Sequence, residues 1–220
     1  LVGKAADRLM AEGLRRVARD IDAIVLPDGG HAVRSPEAGL ELLFDLLTHD
    51  DALGQRGRPT PEAVSRAIDR LSSGVRFFTL AACQLAAFHG GETVEPARIA
   101  AALAHDDHGP QPLMDMPHAG FQKMQGGTIQ VLADAGAPPV GVLSRAACAQ
   151  PAALEIVCGR DRLITSSGWS PEAANAQAFR LSDAASTVSV GDGSAGRPLS
   201  GFRAAALGPW LVDGATSVES

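Results

Sequence analysis

The residue types and spacings that could do chemistry are few in this sequence. The stretch LPDGGHAVRSPEAGLELLFDLL, residues 26–47, places His31 beside Gly29 and Gly30, with Arg34 close behind. An imidazole titrates near neutral pH and can act as base or acid. A guanidinium can grip a carboxylate through two hydrogen bonds. Paired glycines let a ligand approach the backbone closely. The same residues read equally well as a tight turn, with His31 capping or packing on the helix that follows. Spacing alone leaves both readings open.

Other candidates are weaker. The run HDDH, His105 to His108, has the side chains of a metal cluster, but it lies at a helix end and precedes Gly109-Pro110. A solvated helix terminus is the better reading, because a metal needs a fixed geometry that the following Gly-Pro does not guarantee. GDGSAG, Gly191 to Gly196, spells G-x-G-x-x-G, yet RPLSGF follows in place of a helix, so a β-turn is the better reading and no cofactor is expected. His89 precedes Gly90-Gly91 and reads as a last-turn histidine at the negative end of a helix dipole. His118 has no evident partner. No G-x-S-x-G nucleophile elbow is present, no metal site is assigned, and the sequence contains no tyrosine, which removes a class of acid/base residue.

These residues need elements to position them. Ser35-Pro36-Glu37 is a helix start, with Ser as N-cap, Pro in the first turn and an acid near the positive dipole end. Leu40, Leu43, Phe44 and Leu47 follow at helical spacing. Thr60-Pro61-Glu62 repeats the device before Val64, Ile68, Leu71 and Val75. VRFFTLAACQLAAFHGG reads as a continuation that stops at Gly90-Gly91, and a short helix begins near Pro96. This suits antiparallel helix hairpins. Around residues 105–120 prolines and glycines mark a boundary. Beyond it GFQKMQGGTIQVLADAG reads as a hairpin turning at Gly126-Gly127, and AALEIVCGRDRLITSSG as a second one turning near Gly159-Arg160-Asp161. STVSVGDGSAG reads as strand and turn, and GFRAAALGPWLVDGA as further strand. Helices first and consecutive strands later predict segregated helical and sheet parts.

The 220 residues allow one large or two modest domains; 45% are hydrophobic and 20% charged, which supports a real core. A net charge of -6 without a basic cluster argues against nucleic acid as a partner. Cys83, Cys148 and Cys158 are too few for a disulfide framework; Cys148 and Cys158 pair only if their strands adjoin, and otherwise are buried thiols. The N-terminal segment reads as an amphipathic helix, neither signal peptide nor membrane span. The chain is expected to be a piece of a longer protein.

Taken in order, LPDGGHAVRSPEAGLELLFDLL, GFQKMQGGTIQVLADAGAPP, LSRAACAQPAALEIVCGRDRLITSSG and AFRLSDAASTVSVGDGSAG resemble the heparinase II/III-like family, which includes heparin, heparan and alginate lyases. The resemblance implies an α+β multidomain fold: partial (α/α) toroid helices over residues 1–110, then the beginning of an antiparallel β-sandwich over residues 111–220. It implies β-elimination on a uronic-acid polysaccharide, a carbon–oxygen lyase reaction in which one group neutralises the C5 carboxylate, a base takes the C5 proton and an acid assists departure of the C4 oxygen. It further implies an acidic polysaccharide partner and a periplasmic or cell-envelope location.

Tyr and His usually fill the base and acid roles in that family. Here the tyrosine's place falls near Glu37-Ala38. The family segment His-Ala-His-Ala-Asp reads Ala146-Ala147-Cys148-Ala149-Gln150, after Arg145, and Ala-Ala-His-Asn-Thr reads Ala184-Ala185-Ser186-Thr187. Gln150 is a weak substitute for a hard-metal ligand. If the chain is a lyase, His31 is the expected base or acid, with Arg34 and Arg145 as carboxylate or sulfate contacts. The alternative is a non-catalytic carbohydrate-binding or envelope-associated protein on the same scaffold, because fold carries function only where the site persists.

Overall fold

A computed structural model describes residues 3–91, 94–105, 113–169, 174–189 and 191–213. Helices α1 (Lys4–Ile24), α2 (Pro36–Gly54), α3 (Glu62–Phe78) and α4 (Pro96–Leu103) come first. Ser35 caps α2 as its sequence demands: its hydroxyl accepts the Ala38 N–H, Pro36 opens the first turn, and Glu37 faces the dipole. Leu40, Leu43 and Leu46 of α2 and Val64, Ala67, Leu71 and Val75 of α3 are buried in one core. Helix α1 packs against α3 through its C-terminal end, where Ile21 is the buried residue.

The apolar run after Val75 departs from the expected helix. α3 ends at Phe78, and Thr79–Leu80 (β1) pairs antiparallel with Gln84–Leu85 (β2). Ala82 and Cys83 turn between them with φ of 59° and 58°. A run that is apolar on every side carries no period, so tertiary partners decide its form. Those partners come from the sheet. Lys123 Nζ donates to the Phe77 carbonyl at 2.7 Å, the Gln130 side-chain carbonyl accepts the Ala81 N–H at 3.0 Å, Glu155 accepts the Ala87 N–H at 3.2 Å, and Arg162 donates to the Leu85 carbonyl.

That sheet is an antiparallel meander of β3 (Asp115–Met116), β4 (Phe121–Gly126), β5 (Ile129–Asp134), β6 (Leu154–Cys158) and β7 (Asp161–Ile164). Both expected hairpins form. The Gly126–Ile129 and Cys158–Asp161 pairs leave two-residue turns that begin with Gly127 and Gly159, whose φ values of 58° and 60° favour glycine. Alternation along the strands separates two faces. Phe121, Leu132 and Val157 point into the core together with Lys123, Gln130 and Glu155, the polar residues that bind the 77–87 backbone. The register lines up Met124, Val131, Ile156 and Ile164 across the opposite face, where Met124 is 53% and Ile164 42% exposed.

A ribbon of β8 (Gly196–Pro198) and β9 (Leu211–Asp213) closes the described chain, with helix α5 (Gly201–Leu207) between its strands. The segment read as strand from Ser186 is irregular over its described residues, and three consecutive alanines favour α5 over strand. One apolar cluster runs from α1–α4 into the sheet: Phe121 lies 4.9 Å from Phe78 and 5.0 Å from Phe88, centroid to centroid. The result is a mixed helical and antiparallel-sheet structure. The described helices do not by themselves display a toroid.

Candidate functional site

The loop between α1 and α2 is a packing wedge. Gly29 has φ 86°, and a Cβ there would stand 2.0 Å from the Arg70 carbonyl oxygen; a Cβ on Gly74 would stand 2.1 Å from the Gly29 oxygen. A Cβ on Gly30 would meet Ala119 at 2.4 Å. The paired glycines thus permit close approach by α3 and by the strand-leading loop, which occupy the space a ligand would need. Asp28 fastens the same contact by accepting the Ala119 N–H at 2.8 Å and the His118 N–H at 2.6 Å. That gives the segment around His118 its anchor.

His31 bridges Val25 through the backbone, and its Nδ1 accepts the Val33 N–H at 3.2 Å, so its proton is on Nε2. Burial lowers its pKa from the ordinary histidine value. Arg34, expected to reach a ligand carboxylate, turns inward. It is 7% exposed, holds φ 60°, and stacks 4.7 Å over the Phe121 ring. Its Nε donates to the Ala119 carbonyl at 2.7 Å, Nη1 to Ala137 at 2.8 Å, and Nη2 to Gly120 at 3.3 Å and to Asp134.

Asp134 and His89 complete this junction, and neither was singled out from sequence as part of a site. His89 is not in a last helical turn. It is 2% exposed and sits at φ 48° ahead of Gly90 and Gly91, themselves at 88° and 107°. Its Nε2 lies 2.9 Å from Asp134 Oδ2, and its Nδ1 accepts the Cys148 N–H at 3.4 Å. A backbone N–H can only donate, so Nδ1 is bare and Nε2 carries the proton toward Asp134. The 3.1 Å approach of Arg34 Nη1 to Nε2 is then a close contact of two donors rather than a hydrogen bond. Burial holds the His89 pKa below its ordinary value, with the Arg34 charge acting in the same direction against the pull of Asp134. Burial also raises Asp134, but His89 and Arg34 outweigh it and hold the carboxyl below the usual carboxylate range. Gln150 ties in both partners: its carbonyl accepts the His89 N–H at 3.0 Å, and its amide reaches Asp134 Oδ2 at 3.5 Å. One signal for this junction was legible: Asp134 occupies an inward position of β5, and a buried carboxylate needs a cation.

Arg34, His89 and Asp134 form the floor of a cavity of about 270 Å³. Cys148 and Gln150, from the segment at the family's His-Ala-His-Ala-Asp place, also line it. Burial pushes the Cys148 thiol up to about 11, far from a reactive thiolate. All three cysteines are free, which removes the Cys148–Cys158 pairing. Arg145 is exposed, and its Nη2 lies 3.4 Å from the Leu207 carbonyl. Neither it nor His31 lines the cavity. Arg180, fully buried, donates to the Ala147 and Ser144 carbonyls at 2.8 Å and so shapes the loop that carries Cys148. Residues 106–108 of the HDDH run lie outside the described residues. Among the described residues, no group of three or more His, Cys, Asp and Glu could hold a metal ion. No described helix is long and apolar enough to cross a membrane.

Residues 108–219 match the family model described as heparinase II/III-like, C-terminal. The whole chain is 73% identical over 220 residues to FtsZ-localized protein C of Caulobacter vibrioides and spans 38% of that protein's length. Solved structures of low identity share the fold. Heparinase III matches with a TM-score of 0.67 at 14% identity, over 90% of this chain and 38% of the other. Heparan sulfate lyase HepC from Pedobacter heparinus matches with a TM-score of 0.67 at 14% identity, over 90% of this chain and 37% of the other. The expected periplasmic or cell-envelope location is corrected: it came from the family alone, and the 73%-identical relative is named for its localization with FtsZ.

Proposed function

The chain belongs to the heparinase II/III-like family, and from that premise we propose that it is a recognition module of a division-site protein, acting in the cytoplasm with FtsZ rather than as a polysaccharide lyase. The observation that carries this reading is the closed chemistry of the junction. A lyase base needs a nitrogen or oxygen free to take the C5 proton. His89 has Nδ1 engaged by the Cys148 N–H and Nε2 by Asp134. The Asp134 oxygens accept from Arg34, the Gly136 N–H, His89 and Gln150. These 220 residues supply no tyrosine to share the work. What remains is a rigid floor beneath a cavity, which suits binding. The FtsZ association enters from the name of the 73%-identical relative.

The test uses the full-length protein. Incubation with heparin, heparan sulfate and alginate, followed by the absorbance of unsaturated uronate, is expected to give no product. Co-sedimentation with polymerised FtsZ is expected to deplete the protein from the supernatant. Product formation, or no co-sedimentation, overturns the proposal. The lyase alternative would place its proton transfer on His31 Nε2, so any product that forms is then compared with that of His31→Ala.

A further inference from the structure

The cavity above the junction has a polar floor but few polar groups to offer. Arg34 directs its N–H groups to the carbonyls of Ala119, Gly120 and Ala137 and to Asp134. The His89 nitrogens and the Asp134 oxygens are engaged as described above. A ligand that needs hydrogen bonds, such as a sugar hydroxyl or uronate, would have to break this set and leave buried partners unsatisfied. The walls are apolar, formed by Pro138, Pro139, Val140, Pro151, Leu211 and Val212.

The apolar surface continues outside. Val140 at the lip is 76% exposed, and Val142 in the turn of Gly141–Ser144 is 59% exposed. That turn joins the β8–α5–β9 lobe: Ser144 Oγ accepts the Leu211 N–H at 3.0 Å, and the Arg145 guanidinium lies against Leu207 and Gly208. On α5, Arg203 and Leu207 are four residues apart and share a face; Leu207 is 43% and Phe202 88% exposed. Among the described residues Arg203 has no carboxylate partner and Arg145 bonds only a carbonyl. The molecule as a whole carries -6, so two exposed arginines without a carboxylate partner among the described residues, one bonded to α5 and one on it, are a local reversal of charge on the lobe whose Leu211 and Val212 line the cavity.

We infer that this surface docks a protein segment that inserts one large apolar side chain into the cavity and lays acidic neighbours against Arg145 and Arg203. The inference deepens the recognition-module reading and rests on it. The apolar anchor supplies affinity by leaving water, and the acidic flank supplies orientation and on-rate.

The test is fluorescence anisotropy with the full-length protein and labelled octapeptides that carry Leu or Phe between aspartates. Controls replace the anchor by Ala or the aspartates by Lys. The Leu or Phe peptides bind, and Ala at the anchor weakens binding about tenfold or more, the loss of most of a buried side chain's transfer free energy. Val140→Asp weakens binding similarly. Arg145→Glu and Arg203→Glu shift preference from the aspartate to the lysine peptides, and salt reduces the discrimination. Because these positions are exposed, unchanged thermal melts confirm that the variants fold. The inference is overturned if no peptide in the panel binds, if anchor and flank are irrelevant, if the variants bind as wild type, or if a uronic-acid tetrasaccharide displaces the peptide. Co-sedimentation of the same wild-type preparation with FtsZ separates the two ideas. Retained FtsZ association without peptide binding rejects only this surface, and peptide binding without FtsZ association rejects only the division-site reading.

Discussion

The Cys148 amide N–H points at His89 Nδ1 across 3.4 Å, and this contact fixes both the tautomer and the charge of His89. A doubly protonated ring would set an N–H against an N–H. The neutral ring therefore belongs to the folded state, and His89 is a buried base whose folded pKa lies below its unfolded value.

The consequence for pH follows from the sign of that shift. Between the folded and unfolded pKa values, the unfolded chain binds more protons, so stability rises with pH there. The His89 contribution is complete above the ordinary histidine range and is lost progressively as pH falls below it. His31, also lowered by burial, acts in the same direction. Urea midpoints are expected to fall between pH 7.5 and 5.5. His89→Gln is less stable at pH 7.5 but shows a smaller fall, and His31→Gln reports the second contribution separately. An unchanged pH dependence in both variants would remove this account.

The ion pair beneath His89 makes a second prediction. Arg34 and Asp134 come from positions 100 residues apart, with side chains 6% and 1% exposed. Removing one partner strands a buried charge, at a cost of about 3–5 kcal/mol. Arg34→Met and Asp134→Asn are each expected to lose stability on that scale. The double variant loses much less than the sum, because neither charge is left behind. Chemical denaturation of the three variants checks it, and additive losses would show that the pair is not coupled.

How much of this was legible in sequence varies by residue. Ser35 and Pro36 announced α2 because capping chemistry is local. The hairpins at Gly127 and Gly159 were legible for the same reason. The stretch after Phe78 was not, because its fate depends on Lys123, Gln130, Glu155 and Arg162 reaching across from strands 40 or more residues away. His89 was misplaced with it, since its helical setting was inferred from that run. Gly29, Gly30 and Arg34 were recognised as unusual, but sequence could not say whether the close partner was a ligand or the protein's own backbone. Space around a glycine is a property of the tertiary structure.

The cysteines give a chemical check on burial around the cavity. Cys148 is buried and its thiol is raised to about 11, whereas Cys83 and Cys158 are partly exposed. Alkylation needs both access and thiolate. Native protein at pH 8 treated with iodoacetamide is expected to be modified at Cys83 and Cys158 and spared at Cys148, with Cys148 reacting once urea unfolds the chain. Peptide mass spectrometry reads the three sites directly. Rapid native labelling of Cys148 would mean that the cavity floor opens.

Gly29 and Gly74 separate the packing role of the first loop from any chemical role of its histidine. Their backbones touch so closely that a methyl group on either would overlap a carbonyl oxygen of the other side, at 2.0 and 2.1 Å. Gly29 also needs its positive φ, where a side chain adds strain. Gly29→Ala and Gly74→Ala are therefore expected to cost more than about 2 kcal/mol each, at the upper end of single substitutions. His31→Ala, which removes a half-buried ring with one local hydrogen bond, is expected to cost about 1 kcal/mol and to leave the proposed FtsZ association unchanged. Denaturation midpoints and FtsZ co-sedimentation of the same variants test this division. If His31→Ala folded normally yet lost FtsZ binding, the loop would be a contact surface in its own right. Tolerance of Ala at Gly29 and Gly74 would show that the wedge is looser than the geometry states.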